Sequence, residues 1–100
     1  MSLVKVMTSL TDLDGTPFEG PVTTLRDVMV LSLKAQMQGD EKVSPETKYG
    51  WGKLARRIMT NEEVSLKAEE IVILKDRIGR AFNCVVVEQV FDAMEPYHGE

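Results

Sequence analysis

The chain has 100 residues, which is enough for one domain with a single core. Its hydrophobic share of 43% and charged share of 28% are those of a globular protein and exclude a disordered chain. The net charge of −4 argues against bulk binding to nucleic acid or to an anionic membrane. Cys84 is the one cysteine, and no apolar stretch approaches the ~20 residues of a membrane span, so we expect a reducing intracellular setting.

Residues 1–22 are predicted to form an extended arm or β-hairpin. Residues 3–10 alternate in the way that suits a short strand. Asp14 and Gly15 form a strong turn signal, and Pro17 confines the following segment to an edge or an irregular position. An open strand edge of this kind can accept a strand from another chain, so a partner or a second subunit is expected there.

The first helix is expected to begin at Thr23 or Thr24, because Thr24 and Asp27 have the spacing of a capping pair. It is apolar on nearly all sides, which is typical of the central helix of a small domain. Gly39 is the expected stop of this helix.

The second helix has the clearest start signal, with Ser44 as N-cap and Pro45 at the first helical position. Gly50 and Gly52 lie within it and weaken it by about 1 kcal/mol each relative to alanine. We expect them to admit another backbone beside the indole of Trp51. The predicted apolar stripe consists of Trp51, Leu54, Ala55, Ile58 and Met59.

Two further helices are expected after a link at residues 61–66, in which Val64 and Leu66 could be extended and point inward. The third runs from about Ala68 to Ala81, and Asn83 can cap a fourth. Residues 84–87 could also form a strand because they are rich in valine, but the helical spacing that follows favours a helix.

The predicted fold class is therefore mainly α (α+β). One domain is expected, with an N-terminal β-hairpin or extended arm at residues 1–22 and about four helices around one core at residues 23–95. Pro96 should end the last helix, and residues 96–100 should be a frayed tail carrying His98. Cys84 is expected to be a buried, inert thiol.

Residues 12–16 read DLDGT, which resembles the first motif of haloacid-dehalogenase-type phosphatases. In that family the first aspartate attacks phosphorus, the second moves a proton, and magnesium lies between them. This chemistry needs a buried parallel strand before the motif, whereas residues 8–11 are mostly polar. An EF-hand calcium loop fits less well, since Leu10 and Pro21 would occupy ligand positions. We expect a solvated Asp-Gly turn, and the phosphatase stays a remote alternative.

The second predicted helix also carries a basic face, formed by Lys53, Arg56 and Arg57 together with Lys48. Such a face could bind DNA phosphates, and the second and third helices could imitate a helix-turn-helix. The link between them is longer than the usual turn, and the rest of the chain is acidic. A DNA-associated regulator is therefore kept as the alternative function.

The order of segments resembles that of small proteins of about this length encoded by tailed bacteriophages and prophages. The stretches that carry the resemblance are residues 13–17 (LDGTP), 24–28 (TLRDV), 44–50 (SPETKYG), 65–71 (SLKAEEI) and 86–91 (VVEQVF). The resemblance implies a viral or prophage setting and a non-enzymatic role. It transfers no functional residue.

The leading hypothesis is a small non-enzymatic protein that acts by binding another protein or by self-association, in virion assembly or host takeover. It is expected in the bacterial cytoplasm or on the virion, without a cofactor, a metal ion, a membrane or a small-molecule substrate. Exposed aromatic and arginine side chains are common anchors of interfaces, whereas Tyr49 and Trp51 are core residues if they are buried, and the sequence leaves both possibilities open. The candidate interaction residues are Tyr49, Trp51, Lys53, Arg56 and Arg57.

Overall fold

The computed structural model describes residues 2–94, and the expectations for Pro96, His98 and the tail lie outside them. Within these residues the chain forms four α-helices, a short 3₁₀ helix and two strands, which confirms the mainly α (α+β) class. The elements are β1 (Ser2–Lys5), α1 (Leu25–Lys34), the 3₁₀ helix (Asp40–Lys42), α2 (Pro45–Thr60), β2 (Glu63–Leu66), α3 (Ala68–Ala81) and α4 (Cys84–Met94).

β1 pairs with β2 in antiparallel orientation, with Val4 opposite Val64. The predicted strand is thus confirmed, but its partner is the segment expected to be a link. The alternation of side chains explains the pairing, because one face of each strand is buried while Leu3 on the other face is exposed. The buried side chains of this small sheet are Val4, Val64 and Leu66, and Val6 is buried directly after β1.

The Asp-Gly turn is present at the tip of the arm. The amide of Asp12 donates to the carbonyl of Thr16 at 2.8 Å, and the amide of Gly15 donates to the carbonyl of Asp12 at 2.9 Å. Gly15 has φ +88°, the left-handed conformation that completes a three-residue turn with little strain only in glycine. The pairing that flanks this turn consists of an isolated bridge between Thr11 and Pro17 and a bond from the Phe18 amide to the Leu10 carbonyl at 3.1 Å.

α1 begins at the expected cap. The side chain of Thr24 accepts from the amide of Asp27, and the Asp27 carboxylate accepts from the amides of Thr23 and Thr24. Partial burial raises the pKa of Asp27, but these hydrogen bonds outweigh it and leave the pKa below its ordinary value. The helix packs against both α2 and α3, which confirms its central position.

α1 ends at Lys34, so the prediction that it runs to Gly39 is wrong. The cause is a side chain from α3. The buried guanidinium of Arg77 donates to the carbonyl of Ser32 at 2.7 Å and to that of Ala35 at 2.6 Å, groups at the end of the helix. It also binds the carboxylate of Asp40, which folds the following loop back onto the helix end.

α2 starts at Pro45 with Ser44 as its N-cap, as expected. Leu54 and Ile58 are buried against α1 and the core. Met59 is the exception in the predicted apolar stripe, since 51% of its surface is exposed.

α3 occupies the expected residues, Ala68–Ala81. The side chain of Asn83 accepts from the amides of Val85 and Val86, so it caps α4 and the helix is preferred over the strand. Cys84 is exposed in the first turn of α4, and its expected burial is wrong. The turn points the thiol to solvent while Val86 and Val90 supply the buried side.

Candidate interaction surface on the second helix

The outward side of α2 forms a shallow depression of about 470 Å³. Its residues recur at a spacing of three and four, which places them on one side of a helix. We call this surface the α2 face; it consists of Tyr49, Gly52, Lys53, Arg56, Arg57 and Thr60.

Tyr49 lies at one end of the α2 face and is 67% exposed. The ammonium of Lys53 lies over its ring, 5.2 Å from the ring centroid, one helical turn further along. A cation at this distance is attracted by the ring, by about 0.5–1 kcal/mol at an exposed site. The pair therefore presents an aromatic surface and a positive charge together.

The two arginines of the α2 face differ in what they bind. The Nη2 of Arg57 donates to Oε1 of Glu70 at 2.8 Å and to the carbonyl of Ser65 at 3.2 Å, which ties α2 to α3 and β2. Partial burial raises the pKa of Glu70, but the bonds from Arg57 and from the Lys67 amide outweigh it, so the pKa is lowered. Arg56 is exposed and its guanidinium has no bonding partner within residues 2–94. Its charge is thus available to a partner.

Gly52 lies in the wall of the depression. Apart from its own helix backbone and chain neighbours, no atom of the described part of the chain lies within 4 Å of the point where a β-carbon would stand. The two glycines were predicted to admit another backbone beside the indole of Trp51, and the space at Gly52 is open. Gly50 has the same open surroundings but does not line the depression.

Trp51 points away from the α2 face. It is half-buried, and the guanidinium carbon of Arg77 lies 4.2 Å from its ring centroid. Its Nε1 is buried and has no hydrogen-bond partner among residues 2–94. The structure thus brings together Tyr49, Lys53 and the two arginines, but it places Trp51 against the core as a structural residue.

The two aspartates of the phosphatase-like motif, Asp12 and Asp14, are exposed on the Asp-Gly turn. The strand before them pairs antiparallel with β2, whereas the phosphatase motif needs a buried parallel strand. The hydroxyl and the amide of Thr16 donate to Asp14 and lower its pKa. These carboxylates are therefore solvated charges bound to their own turn.

The segment between α2 and α3 is not the short turn of a helix-turn-helix, because it contains β2, which is held by β1. Among residues 2–94, no three His, Cys, Asp or Glu side chains meet in a way that could hold a metal ion. None of the helices described is both long and apolar enough to cross a membrane. Comparisons with protein-family models, curated proteins and solved structures give no match for this chain.

Two features of the surface were not singled out as site residues by the sequence patterns. One is Gly52. A glycine within a predicted helix was the sequence signal for it, and the structure adds that no other backbone among residues 2–94 packs against it. The other is Leu13 at the tip of the Asp-Gly turn, which is 83% exposed. A turn position predicts exposure, but the nearly complete exposure of a leucine side chain is visible only in the folded chain.

Proposed function

We propose that this chain is a non-enzymatic interaction protein that docks another protein on the α2 face. The observation that carries the proposal is that the open space at Gly52 lies in a depression beside the exposed Tyr49 and the cation Arg56. A glycine within a helix costs about 1 kcal/mol relative to alanine, and nothing among residues 2–94 occupies the space that it leaves. An occupant from outside the chain gives this glycine a role.

The surroundings of Gly52 suit a protein partner. Tyrosine and arginine are enriched among the residues that dominate binding energy in interfaces, and Tyr49 and Arg56 flank the depression. Lys53 and Arg56 supply positive charge, so the expected partner segment is acidic with an apolar side chain to fill the depression.

DNA fits the same face less well. Because Arg57 is bound to Glu70 and Ser65, Lys53 and Arg56 are the cations that the α2 face offers to phosphates. Each phosphate contact steepens the fall of the binding constant with salt by about 0.9 on a log–log scale, because each contact releases counterions. Two contacts therefore support only weak binding. A viral or prophage setting, as the segment order suggests, is compatible with a protein-binding role in assembly or host takeover.

Photocrosslinking tests the docking surface. Tyr49 is replaced by p-benzoylphenylalanine in the full chain, produced in the cell that naturally carries it, and the matched control has the same residue at Val72, an exposed apolar position on α3. We expect a protein adduct from position 49 that is absent from position 72. Charge reversal by Lys53→Glu and Arg56→Glu should remove it, and an adduct that survives the reversal, or one destroyed by nuclease, contradicts the proposal.

A second pair of variants tests the role of Gly52. Gly52→Leu fills the depression, while Gly50→Leu makes the same change on a neighbouring side of the helix. Both should keep or raise the melting temperature, since leucine is a better helix former than glycine. Only Gly52→Leu should abolish the adduct at position 49. Equal adduct yields from the two variants would count against the depression as the docking site.

A further inference from the structure

The tip of the Asp-Gly turn is an exposed apolar side chain between two carboxylates. Leu13 is 83% exposed, and Asp12 and Asp14 are exposed on either side of it. The pKa of Asp14 is lowered by the side chain and backbone of Thr16, so its carboxylate is charged at neutral pH. The chain thus carries an acidic segment with a central apolar anchor of its own.

This tip is held in one shape by the rest of the molecule. The side-chain amide of Gln89 on α4 accepts from the amide of Thr11 at 3.0 Å and donates to its carbonyl at 2.7 Å, as a neighbouring strand would. Beyond that clamp, the bonds within the turn fix Asp12 to Thr16. A segment that is already ordered loses less conformational entropy when it binds, so Leu13 is a prepared anchor.

We infer that the occupant of the α2 face is the turn at residues 12–14 of a second copy of this chain. This inference rests on the proposed function and names its partner. Leu13 would enter the depression beside Gly52, and the two aspartates would face Lys53 and Arg56. Opposite charges at the rim of an interface speed encounter and fix the register, while the apolar anchor at its centre supplies most of the affinity.

The Asp-Gly turn and the α2 face lie in different parts of the fold, so a contact between them joins two unlike surfaces. The turn is clamped to α4, which packs on α3 and β1, whereas α2 packs on α1 and β2. Two copies related by a two-fold axis can make this contact twice and close as a dimer. A contact made only once leaves one turn and one α2 face free in every pair, and such contacts propagate head to tail as rings or filaments.

Charge-reversal variants of the full chain test the pairing. In the turn variant, Asp12→Lys and Asp14→Lys make the tip basic; in the face variant, Lys53→Glu and Arg56→Glu make the α2 face acidic. At low salt, sedimentation velocity of the wild type should show a mass that rises with concentration above that of one chain. Each variant alone should associate at least about ten-fold more weakly, because like charges then meet.

Mixing the two variants is the decisive experiment. The acidic turn of one then meets the basic face of the other, and the basic turn meets the acidic face, so assembly should return. A mixture that stays monomeric overturns the pairing, as does a wild type that stays monomeric up to millimolar concentration. If p-benzoylphenylalanine at position 49 then still crosslinks to a different protein in a charge-dependent way, the α2 face remains a docking site and only the second copy is excluded. If position 49 gives no adduct either, both proposals fail.

Leu13→Ser separates the apolar anchor from the charges. The turn keeps both aspartates and its backbone bonds, so the fold should be unchanged, since Leu13 is almost fully exposed. Leu3→Ser is the matched control, because it removes another exposed leucine of the N-terminal arm. Self-association should weaken by about ten-fold or more in Leu13→Ser alone. Equal effects of the two changes would contradict a specific role of the tip.

Discussion

Arg77 and Asp40 form a buried ion pair that joins α3 to the loop after α1. The two terminal nitrogens of the guanidinium bind the two carboxylate oxygens at 3.1 and 3.0 Å, and Arg77 is only 2% exposed. With Ser32 and Ala35, the guanidinium makes four hydrogen bonds, so its charge is well compensated. This pair decides where α1 ends and therefore how α3 sits against it.

Replacing Arg77 with methionine should be strongly destabilising. The change leaves Asp40 charged and buried and frees two carbonyls at the end of α1, which costs about 3–5 kcal/mol of unfolding free energy. Urea unfolding followed by the fluorescence of Trp51 measures the loss. The control is Arg80→Met, whose ion pair with Asp76 is exposed and should contribute less than about 1 kcal/mol. Similar losses for the two variants would show that the buried pair is not the stronger one.

Acid should weaken the fold through Asp40. Hydrogen bonds from Arg77, and then one from the Met37 amide, hold its pKa at about 2, below the ordinary value of 3.8. Because the pKa of Asp40 is lower in the folded state than in the unfolded state, its ionised carboxylate stabilises the fold. This stabilisation is complete above pH 3.8 and is lost as the pH falls through about 2. The stability difference between wild type and Asp40→Asn, measured by urea unfolding, should therefore be largest near neutral pH and shrink between about pH 4 and 2. A difference that does not change with pH contradicts the assignment.

The clamp between Gln89 and the arm should control the mobility of the turn. Gln89→Ala removes both bonds to the backbone of Thr11. We expect a loss of about 1–2 kcal/mol and faster hydrogen exchange of the Thr11 amide. Glu88→Ala, the next residue on α4 and exposed, is the control and should leave that amide unchanged. Protection of Thr11 that persists in Gln89→Ala would mean that the turn is held by other contacts.

Two glycines with open surroundings should respond in opposite ways to alanine. Gly50→Ala removes a helix-weakening residue and should raise the unfolding free energy by about 1 kcal/mol. Gly15→Ala forces a β-carbon into the left-handed conformation of φ +88° and should lower it by about 1–2 kcal/mol. Thermal unfolding of both variants distinguishes backbone conformation from packing, because neither alanine meets a neighbour. Equal signs for the two changes would contradict this explanation.

Local chemistry made much of the fold predictable. The caps at Thr24, Ser44 and Asn83 act within three residues of themselves, so their signals can be recognised without tertiary structure. The end of α1 was not predictable in this way, because Arg77 lies far along the chain and reads as an ordinary charged residue of a helix. The partner of β1 was missed for the same reason: alternation identifies a strand but does not say which segment it pairs with.

The candidate site was predictable only in part. Helical spacing places Tyr49, Lys53 and Arg56 on one side of α2, as the sequence suggested. Trp51 was grouped with them, yet it lies two residues from Tyr49, which is about 200° around the helix, and it turns toward Arg77. Arg57 is bound and Arg56 is not, because Glu70 of α3 lies beside Arg57. That proximity is established only when the chain folds.

The pairing of the first strand with residues 63–66 has a consequence for synthesis on the ribosome. The buried Val4 emerges 60 residues before its partner Val64, and Val6 likewise precedes Glu62, whose carbonyl accepts from the Val6 amide. During translation the N-terminal strand is therefore an unprotected apolar segment, and loop closure across this separation must precede its burial. Nascent chains halted before β2 should be captured by chaperones, and those halted after it has left the exit tunnel should be released.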